Sequence, residues 1–280
     1  MLGKAVLLVV IAMMTDATSG WAEDDLCLPL LDPASPSLGS GSIDQSRSAC
    51  GATLWNVGGQ AQSFEDQTAI AALSLDARLL HASGFEFGMA AKGRYRLASD
   101  AEIGDGELSV GPLRVHAARP QRRRWWGRTA VLTHMLSVEL PFTNSESRKF
   151  SVSASPAILA TWLPSSSLAI HGRIAGILQS TRAGGAPDSD AAGLVSADVG
   201  WAAHPRWSLL IGGQAQHGNE LDHVLARIGT RLGVGAGSIE VSGATVLAGV
   251  EPSRYILWLG YRRAPQPAKA KPSRLQEWAR

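Results

Sequence analysis

The stretch GFEFGMAAKGRYRLA at residues 84–98 alternates between two kinds of side chain. Its odd positions, which include Phe85, Met89 and Tyr95, are uncharged, whereas its even positions carry four charges. Because successive side chains of a strand point to opposite faces, this run predicts a strand with one apolar and one charged face. A barrel strand crosses a bilayer with about 9–11 residues of this kind, whereas strands of globular proteins commonly have about 5–6. The stretch therefore favours a strand of a transmembrane β-barrel.

The first residues have the composition of a secretory signal. Lys4 supplies a positive charge, residues 5–14 are apolar, and small residues surround a cleavage position after Ala22. We predict a signal peptide over residues 1–22, with a frayed N-terminal helix or an uncleaved anchor as the alternatives. After Met14 no apolar run reaches the roughly 18–20 residues that a membrane helix needs. The exported chain is therefore expected to be either soluble or a barrel.

The remaining chain divides into three parts by composition. Residues 23–51, rich in Pro, Ser and Gly, predict an irregular periplasmic leader; residues 52–263 predict the barrel, and residues 264–280 a polar C-terminal tail. The only cysteines, Cys27 and Cys50, predict a disulfide that closes a loop in the leader, since export exposes them to an oxidising compartment. Two cysteines alone are a poor metal site, and we expect neither a metal nor a cofactor.

Alternating runs separated by turn-forming residues continue along the predicted barrel. They predict an all-β fold, a closed antiparallel transmembrane barrel of about 12 strands, because bacterial single-chain barrels have an even number of strands. Pro112 interrupts one alternation and predicts a bulge or edge-like irregularity there. The predicted strands are 52–62, 68–80, 84–98, 107–119, 128–142, 149–162, 167–180, 191–202, 206–217, 222–235, 238–249 and 254–263.

The predicted connections alternate between short and long. Outer-membrane barrels have short periplasmic turns and longer outer loops, so the alternation predicts that both termini face the periplasm. Residues 120–127 are an exception, because this predicted connection is too long for a tight turn.

Aromatic residues on the apolar parity gather near both ends of the predicted strands. This arrangement is typical of the two aromatic girdles that flank the apolar band of a membrane barrel. Core aromatics of a soluble sandwich would also face one way, but they would have no reason to lie at the two ends. The girdle candidates are Phe85, Trp162, Trp201, Trp207 and Tyr261 at the periplasmic ends, and Tyr95, Phe142, Phe150 and Tyr255 at the opposite ends.

With its signal, its alternating strands and turns such as WAAHPRW (201–207) and GVGAGS (233–238), the chain resembles Gram-negative outer-membrane β-barrels. It is similar in particular to the transporter-like barrels grouped around a phenol-degradation pathway protein. The resemblance covers residues 52–263 and rests on pattern, so it assigns no role to any residue. It implies an outer-membrane location, contact with outer-membrane lipid, folding by the barrel-assembly machinery and passage of small molecules.

The polar parity of the strands supplies the candidate lumen residues. Arginine and lysine outnumber carboxylates there, and a basic constriction would favour anions. The alternative is that these side chains pair with one another or hydrate a filled interior. The strongest candidates are Lys92, Arg94, Arg96, Arg173, Arg227 and Arg231. The same parity also carries Glu86, Arg114, His116, His171, Gln179, Asp198, Gln214, Gln216 and Glu240.

Other chemistries find little support. The stretch QRRRWWGR at residues 121–128 could bind nucleic acid in isolation, but behind a signal peptide it favours anchoring to lipid headgroups or a solvated turn. The net charge of +2 adds no strong attraction to nucleic acid, so we expect no nucleic-acid partner. No nucleophile elbow or metal-ligand spacing appears, so we predict no catalytic residues and no enzyme activity.

The leading hypothesis is a passive outer-membrane channel or transporter for small solutes, with anions as the favoured class. Two alternatives stay open. One is a filled structural barrel that serves as a membrane anchor or scaffold, and the other is a soluble exported β-sandwich that binds a ligand.

Overall fold

The computed structural model describes thirteen strands and the residues that adjoin some of them. The predicted signal peptide, leader and C-terminal tail lie outside the described residues, as do Cys27, Cys50 and Phe142. None of the described residues belongs to a helix long and apolar enough to cross a membrane. The structure describes residues 54–64, 69–80, 85–97, 107–110, 113–140, 149–165, 167–183, 188–204, 206–218, 222–234, 237–249 and 253–263.

Every described element is a β-strand, and several are longer than the strands of ordinary globular proteins. The strands are β1 (Leu54–Phe64), β2 (Ala69–Leu80), β3 (Glu86–Leu97), β4 (Glu107–Val110), β5 (Leu113–Trp125), β6 (Arg128–Leu140), β7 (Lys149–Ser165), β8 (Leu168–Ala183), β9 (Asp188–His204), β10 (Trp207–Gly218), β11 (His223–Val234), β12 (Gly237–Gly249) and β13 (Ser253–Arg263).

All pairings in the sheet are antiparallel and follow a meander. Consecutive strands pair from β5 through β13, and β1 pairs with both β2 and β13. At the other side β3 pairs with β2, β4 and β5. The first and last of the described strands are therefore neighbours, with Val57 opposite Tyr261.

Each predicted strand region overlaps an observed strand. The region 107–119 overlaps two strands, β4 up to Val110 and β5 from Leu113, and Pro112, where the irregularity is predicted, lies outside the described residues. The predicted connection 120–127 is wrong, because β5 continues through Trp125 and pairs with β6 as far as Arg128. The turn itself consists of Trp126 and Gly127, whose positive φ angles of 49° and 74° suit the tight turn of a hairpin.

Burial alternates along the strands and defines two faces of the sheet. In β9, Leu194, Ser196 and Asp198 are buried, whereas the alternate residues Val195 and Val199 are exposed. We call the face with the buried side chains the inner face and the other the outer face. The exposed residues of the outer face are mostly large and apolar, including Leu73, Ile174, Ile211, Ile228 and Leu257.

Candidate functional site

The candidate site is the inner face, where polar side chains are buried in rows across neighbouring strands. One row contains Asp198 of β9, Gly212 of β10 and Arg227 of β11 at successive paired positions. Asp198 and Arg227 form an ion pair across the strand between them. Because Gly212 has no side chain, the arginine can reach the carboxylate over it.

Gly212 offers a direct test of this row. A Cβ there would overlap the Asp198 carboxylate and lie 2.7 Å from the Ala197 carbonyl oxygen. We expect Gly212→Ala to lower the free energy of unfolding by about 1–3 kcal/mol, as overpacking does elsewhere. Gly193→Ala is the matched control, since a Cβ at Gly193 meets nothing within 4 Å. Urea unfolding of both variants in lipid vesicles measures the difference, and equal stabilities would contradict the packing described.

A second ion pair joins the end of β11 to the start of β12. Arg231 donates hydrogen bonds to the Glu240 carboxylate from Nε at 3.2 Å and from a terminal nitrogen at 2.7 Å. The two side chains are 0% and 3% exposed, so water barely reaches them. Arg–carboxylate hydrogen bonds of this charged type are stronger than neutral ones. Glu240 therefore neutralises one of the arginines that the sequence proposed as a lumen cation.

Two further pairs lie on β3, β5 and β6. Arg114 binds the Glu139 carboxylate, which also accepts a hydrogen bond from the Ser153 hydroxyl at 3.3 Å. Glu86 and His116 are buried with their side chains 3.5 Å apart. Most of the described positive charge on the inner face is thus matched by carboxylates.

Arg173 differs from these arginines. It is buried, and its Nε has no hydrogen-bond partner among the described residues. Its paired neighbours are Leu159 of β7 and Ser196 of β9, and the next residue along the row is Thr133 of β6. The hydroxyls of Ser196 and Thr133 are also buried without a described partner. A buried polar group left unsatisfied costs about 1–3 kcal/mol, so this row is a part of the inner face where three hydrogen-bonding groups need partners beyond the described residues.

An apolar cluster adjoins this row on the inner face. Ala157, Leu159, Ala175 and Leu194 pack together, and Met135 and Ile177 lie against them. Arg173 is therefore placed between apolar residues on one side and the row of Asp198 and Arg227 on the other. The strand pattern alone did not indicate this cluster, because it requires apolar residues on the polar parity.

The structure distributes the six predicted lumen candidates over two regions. Arg227, Arg231 and Arg173 are buried on the inner face of β8 and β11. Lys92, Arg94 and Arg96 lie on β3 in the same parity as buried Glu86 and Ala90. Only the backbone of these three is described, and it pairs with β2 at Ser74, Ala72 and Ile70.

The predicted girdle residues whose side chains are described lie toward the ends of strands on the outer face. At the short-turn end, Trp201, Trp207 and Tyr261 are exposed, and the Trp207 indole donates a 2.6 Å hydrogen bond to Thr230. Phe85 and Trp162 are half-buried at that end. Tyr95 and Tyr255 lie at the opposite ends of β3 and β13, and Phe150 belongs to β7 with its side chain undescribed.

The basic stretch 121–128 forms the end of the β5–β6 hairpin. Trp126 is 84% exposed and stacks edge-on against Trp162, with ring centroids 5.1 Å apart. The Arg119 guanidinium lies over the Phe85 ring at 5.5 Å from its centroid. Exposed arginines beside tryptophan are compatible with binding to lipid headgroups, which stays a prediction.

At the opposite end of the sheet, Asp222 organises the start of β11. Its carboxylate accepts a 2.9 Å hydrogen bond from the Gly218 backbone N–H and lies 2.8 Å from the His217 imidazole. The Gly218 hydrogen bond is the main cause that lowers the pKa of Asp222 below its ordinary value. A cavity of about 600 Å³ adjoins this region, and Ile174, Val195 and Val224 are among the residues that line it.

Sequence reasoning missed several residues of the site. Glu139, Thr133 and Ser196 share the polar parity, which could have identified them, but their chemistry depends on which strands are neighbours. Trp258 was also missed: it is buried on the inner face, where a Cβ at Gly260 would overlap its ring. The described residues contain no group of three or more His, Cys, Asp or Glu side chains that could hold a metal ion.

Comparisons with known proteins find similar architectures among solved structures. No protein-family model matches the sequence, and no curated protein sequence matches it either. Among solved structures, the COG4313 outer membrane channel from Pseudomonas putida F1 is similar with a TM-score of 0.59 and 14% identity, covering 81% of this chain and all of that one.

Two porins have a weaker likeness to the chain. The KdgM porin, in a complex with disordered oligogalacturonate, has a TM-score of 0.50 and 10% identity, over 76% of this chain and 99% of that chain. The NanC porin has a TM-score of 0.50 and 9% identity, over 76% of this chain and all of that chain.

The chain has the fold of outer-membrane β-barrel channels. At the level of the fold, the expected resemblance to outer-membrane transporter-like barrels is confirmed. The neighbours are channels and porins, and the identities are too low to carry their solutes over to this chain.

Proposed function

We propose that the chain is a passive outer-membrane channel for small solutes, formed by a closed barrel of twelve strands. In this barrel β4 and β5 are one interrupted strand, so the count is even, as in bacterial single-chain barrels. The pairing of β1 with β13 and of β2 with β3 supports closure. Through these two pairings, β1, β2 and β3 connect β13 at one end of the row of strands to β5 at the other. The outer face then contacts outer-membrane lipid, and the barrel-assembly machinery would insert the chain.

One observation carries the channel function over the filled scaffold. The inner-face row of Thr133, Arg173 and Ser196 holds buried hydrogen-bonding groups without a described protein partner. A barrel filled by its own side chains satisfies such groups internally, because unsatisfied ones are costly. In a channel, water or solute that enters the lumen would supply the missing partners. The fold of channel proteins is consistent with this assignment.

We also propose a modest preference for anions. The arginines at positions 114, 227 and 231 each bind a carboxylate, so they contribute little net charge to the lumen. Arg173 has no carboxylate partner among the described residues. Lys92, Arg94 and Arg96 occupy the positions of β3 that belong to the inner face. A small net positive potential in a low-dielectric channel raises the local concentration of anions.

Planar-bilayer recording tests the channel. The purified, folded protein should give discrete current steps in potassium chloride, and a salt gradient should give a reversal potential on the anion side. Heat-denatured protein is the control. Folded protein recovered from the outer membrane that gives no current would favour the filled scaffold. Recovery of the native protein in the periplasmic supernatant would favour the soluble β-sandwich and reject both barrel functions.

A further inference from the structure

We propose that the inner face holds a binding site for a carboxylate with a short alkyl body, with the carboxylate at Arg173 and Ser196 and the alkyl body on the adjacent apolar cluster. This inference rests on the proposed function, since solute must reach the inner face. It goes further by naming the chemical class that the site takes.

The polar half of the site is built from two neighbouring strands. Arg173 of β8 and Ser196 of β9 are directly paired, so their backbones are about 5 Å apart. Arg173 is 6% exposed and Ser196 3%, and Arg173 Nε and Ser196 Oγ have no described hydrogen-bond partner. Both groups can donate, and a carboxylate is an acceptor that guanidinium binds strongly. An anion therefore satisfies both at once.

The charge around Arg173 reinforces this choice. Arg114 is near enough for the two positive charges to repel one another, and its own carboxylate partner is Glu139. The group of Arg114, Glu139 and Arg173 thus carries one net positive charge. An anion that binds at Arg173 neutralises that charge, whereas a cation or a neutral solute would leave it in place.

The apolar half of the site lies one pair of residues along the same strands. Ala175 follows Arg173 on the inner face of β8, and Leu194 precedes Ser196 on β9; the two are paired with each other. Leu159 is the neighbour of Arg173 on β7. These residues belong to one packed apolar cluster, and we expect an alkyl chain attached to the bound carboxylate to lie against it. Inorganic anions and acetate gain only the polar half.

Isothermal titration of the full-length protein in lipid nanodiscs with hexanoate, acetate and 1-hexanol tests the site. We expect hexanoate to bind at least tenfold more tightly than acetate, and 1-hexanol to bind no better than acetate. Arg173→Gln should weaken hexanoate binding at least tenfold, whereas Leu159→Ser should weaken hexanoate without changing acetate. Arg123→Gln is the matched control, because it removes one positive charge from an exposed position on the hairpin. We expect it to leave the binding of hexanoate and acetate unchanged.

Folding of each variant is checked by heat-modifiable migration. Arg173→Gln leaves no described carboxylate without its cation, so this variant should fold as the native protein does. Equal binding of hexanoate and acetate, or unchanged binding in Arg173→Gln, would overturn the proposal. The titration needs no ion current: hexanoate binding without bilayer conductance would reject the channel and keep the site, and conductance without binding would do the reverse.

Discussion

Replacing Arg231 by leucine should destabilise the protein by about 3–5 kcal/mol, because it removes a cation that is paired with the buried Glu240 carboxylate. Arg231 is fully buried and supplies two hydrogen bonds to that carboxylate. Removal of one member of a buried ion pair costs far more than the pair contributes, since the remaining charge keeps its desolvation penalty. Urea unfolding in lipid vesicles measures the loss.

The double variant Arg231→Leu with Glu240→Met is the control for this prediction. Replacing a buried pair by apolar residues of similar volume is often neutral or stabilising, so we expect the double variant to recover most of the lost stability. A single variant as stable as the native protein would show that Glu240 is hydrated, contrary to the burial described. A double variant as unstable as the single one would assign the loss to packing instead.

Ile228→Arg should impair assembly by about 2–4 kcal/mol, the cost of a lipid-facing arginine near the middle of a bilayer. Ile228 lies in the middle of β11 on the outer face and is 62% exposed. An exposed isoleucine tolerates a charge easily on a water-facing sheet, so the effect is specific to lipid. The folded fraction after refolding into vesicles, read from heat-modifiable migration, measures it.

Val234→Arg is the matched control for Ile228→Arg. Val234 is the last residue of β11, exposed on the same face, where the cost of arginine falls to about 0–1 kcal/mol. We expect it to assemble nearly as the native protein does. Equal folded fractions for the two variants would mean that the outer face does not contact the membrane interior.

The alternation of side chains was sufficient to predict strand positions and the two faces. The alternation is visible within a single short stretch, where Phe87 and Met89 lie on one face and Glu86 on the other. A shift of the strand by one residue would exchange the two faces, so the pattern determines them. The hairpin at residues 120–127 was missed because Pro120 and the arginines that follow it resemble a loop. In the structure they continue β5, whose partner β6 supplies the pairing.

The chemistry of the inner face could not be read from the sequence in the same way. Asp198 and Arg227 are 29 residues apart and meet only because β10 lies between their strands with Gly212 at the crossing point. Which arginines have no carboxylate partner depends on such registers. The sequence alone therefore could not distinguish Arg173 from Arg231. The apolar cluster around Leu159 was hidden for the same reason, because leucine on the polar parity of one strand carries no signal alone.

Lipid contact along β10 tests the central claim that the outer face lies in the membrane and the inner face does not. Single cysteines at Ile211, Gln214, Ala215 and Gln216, in a background with Cys27 and Cys50 replaced by serine, are labelled with a fluorophore after refolding into vesicles. We predict that brominated lipid chains quench the labels at positions 211 and 215 and spare those at 214 and 216. Quenching that does not alternate, or that is absent at all four positions, would contradict the account.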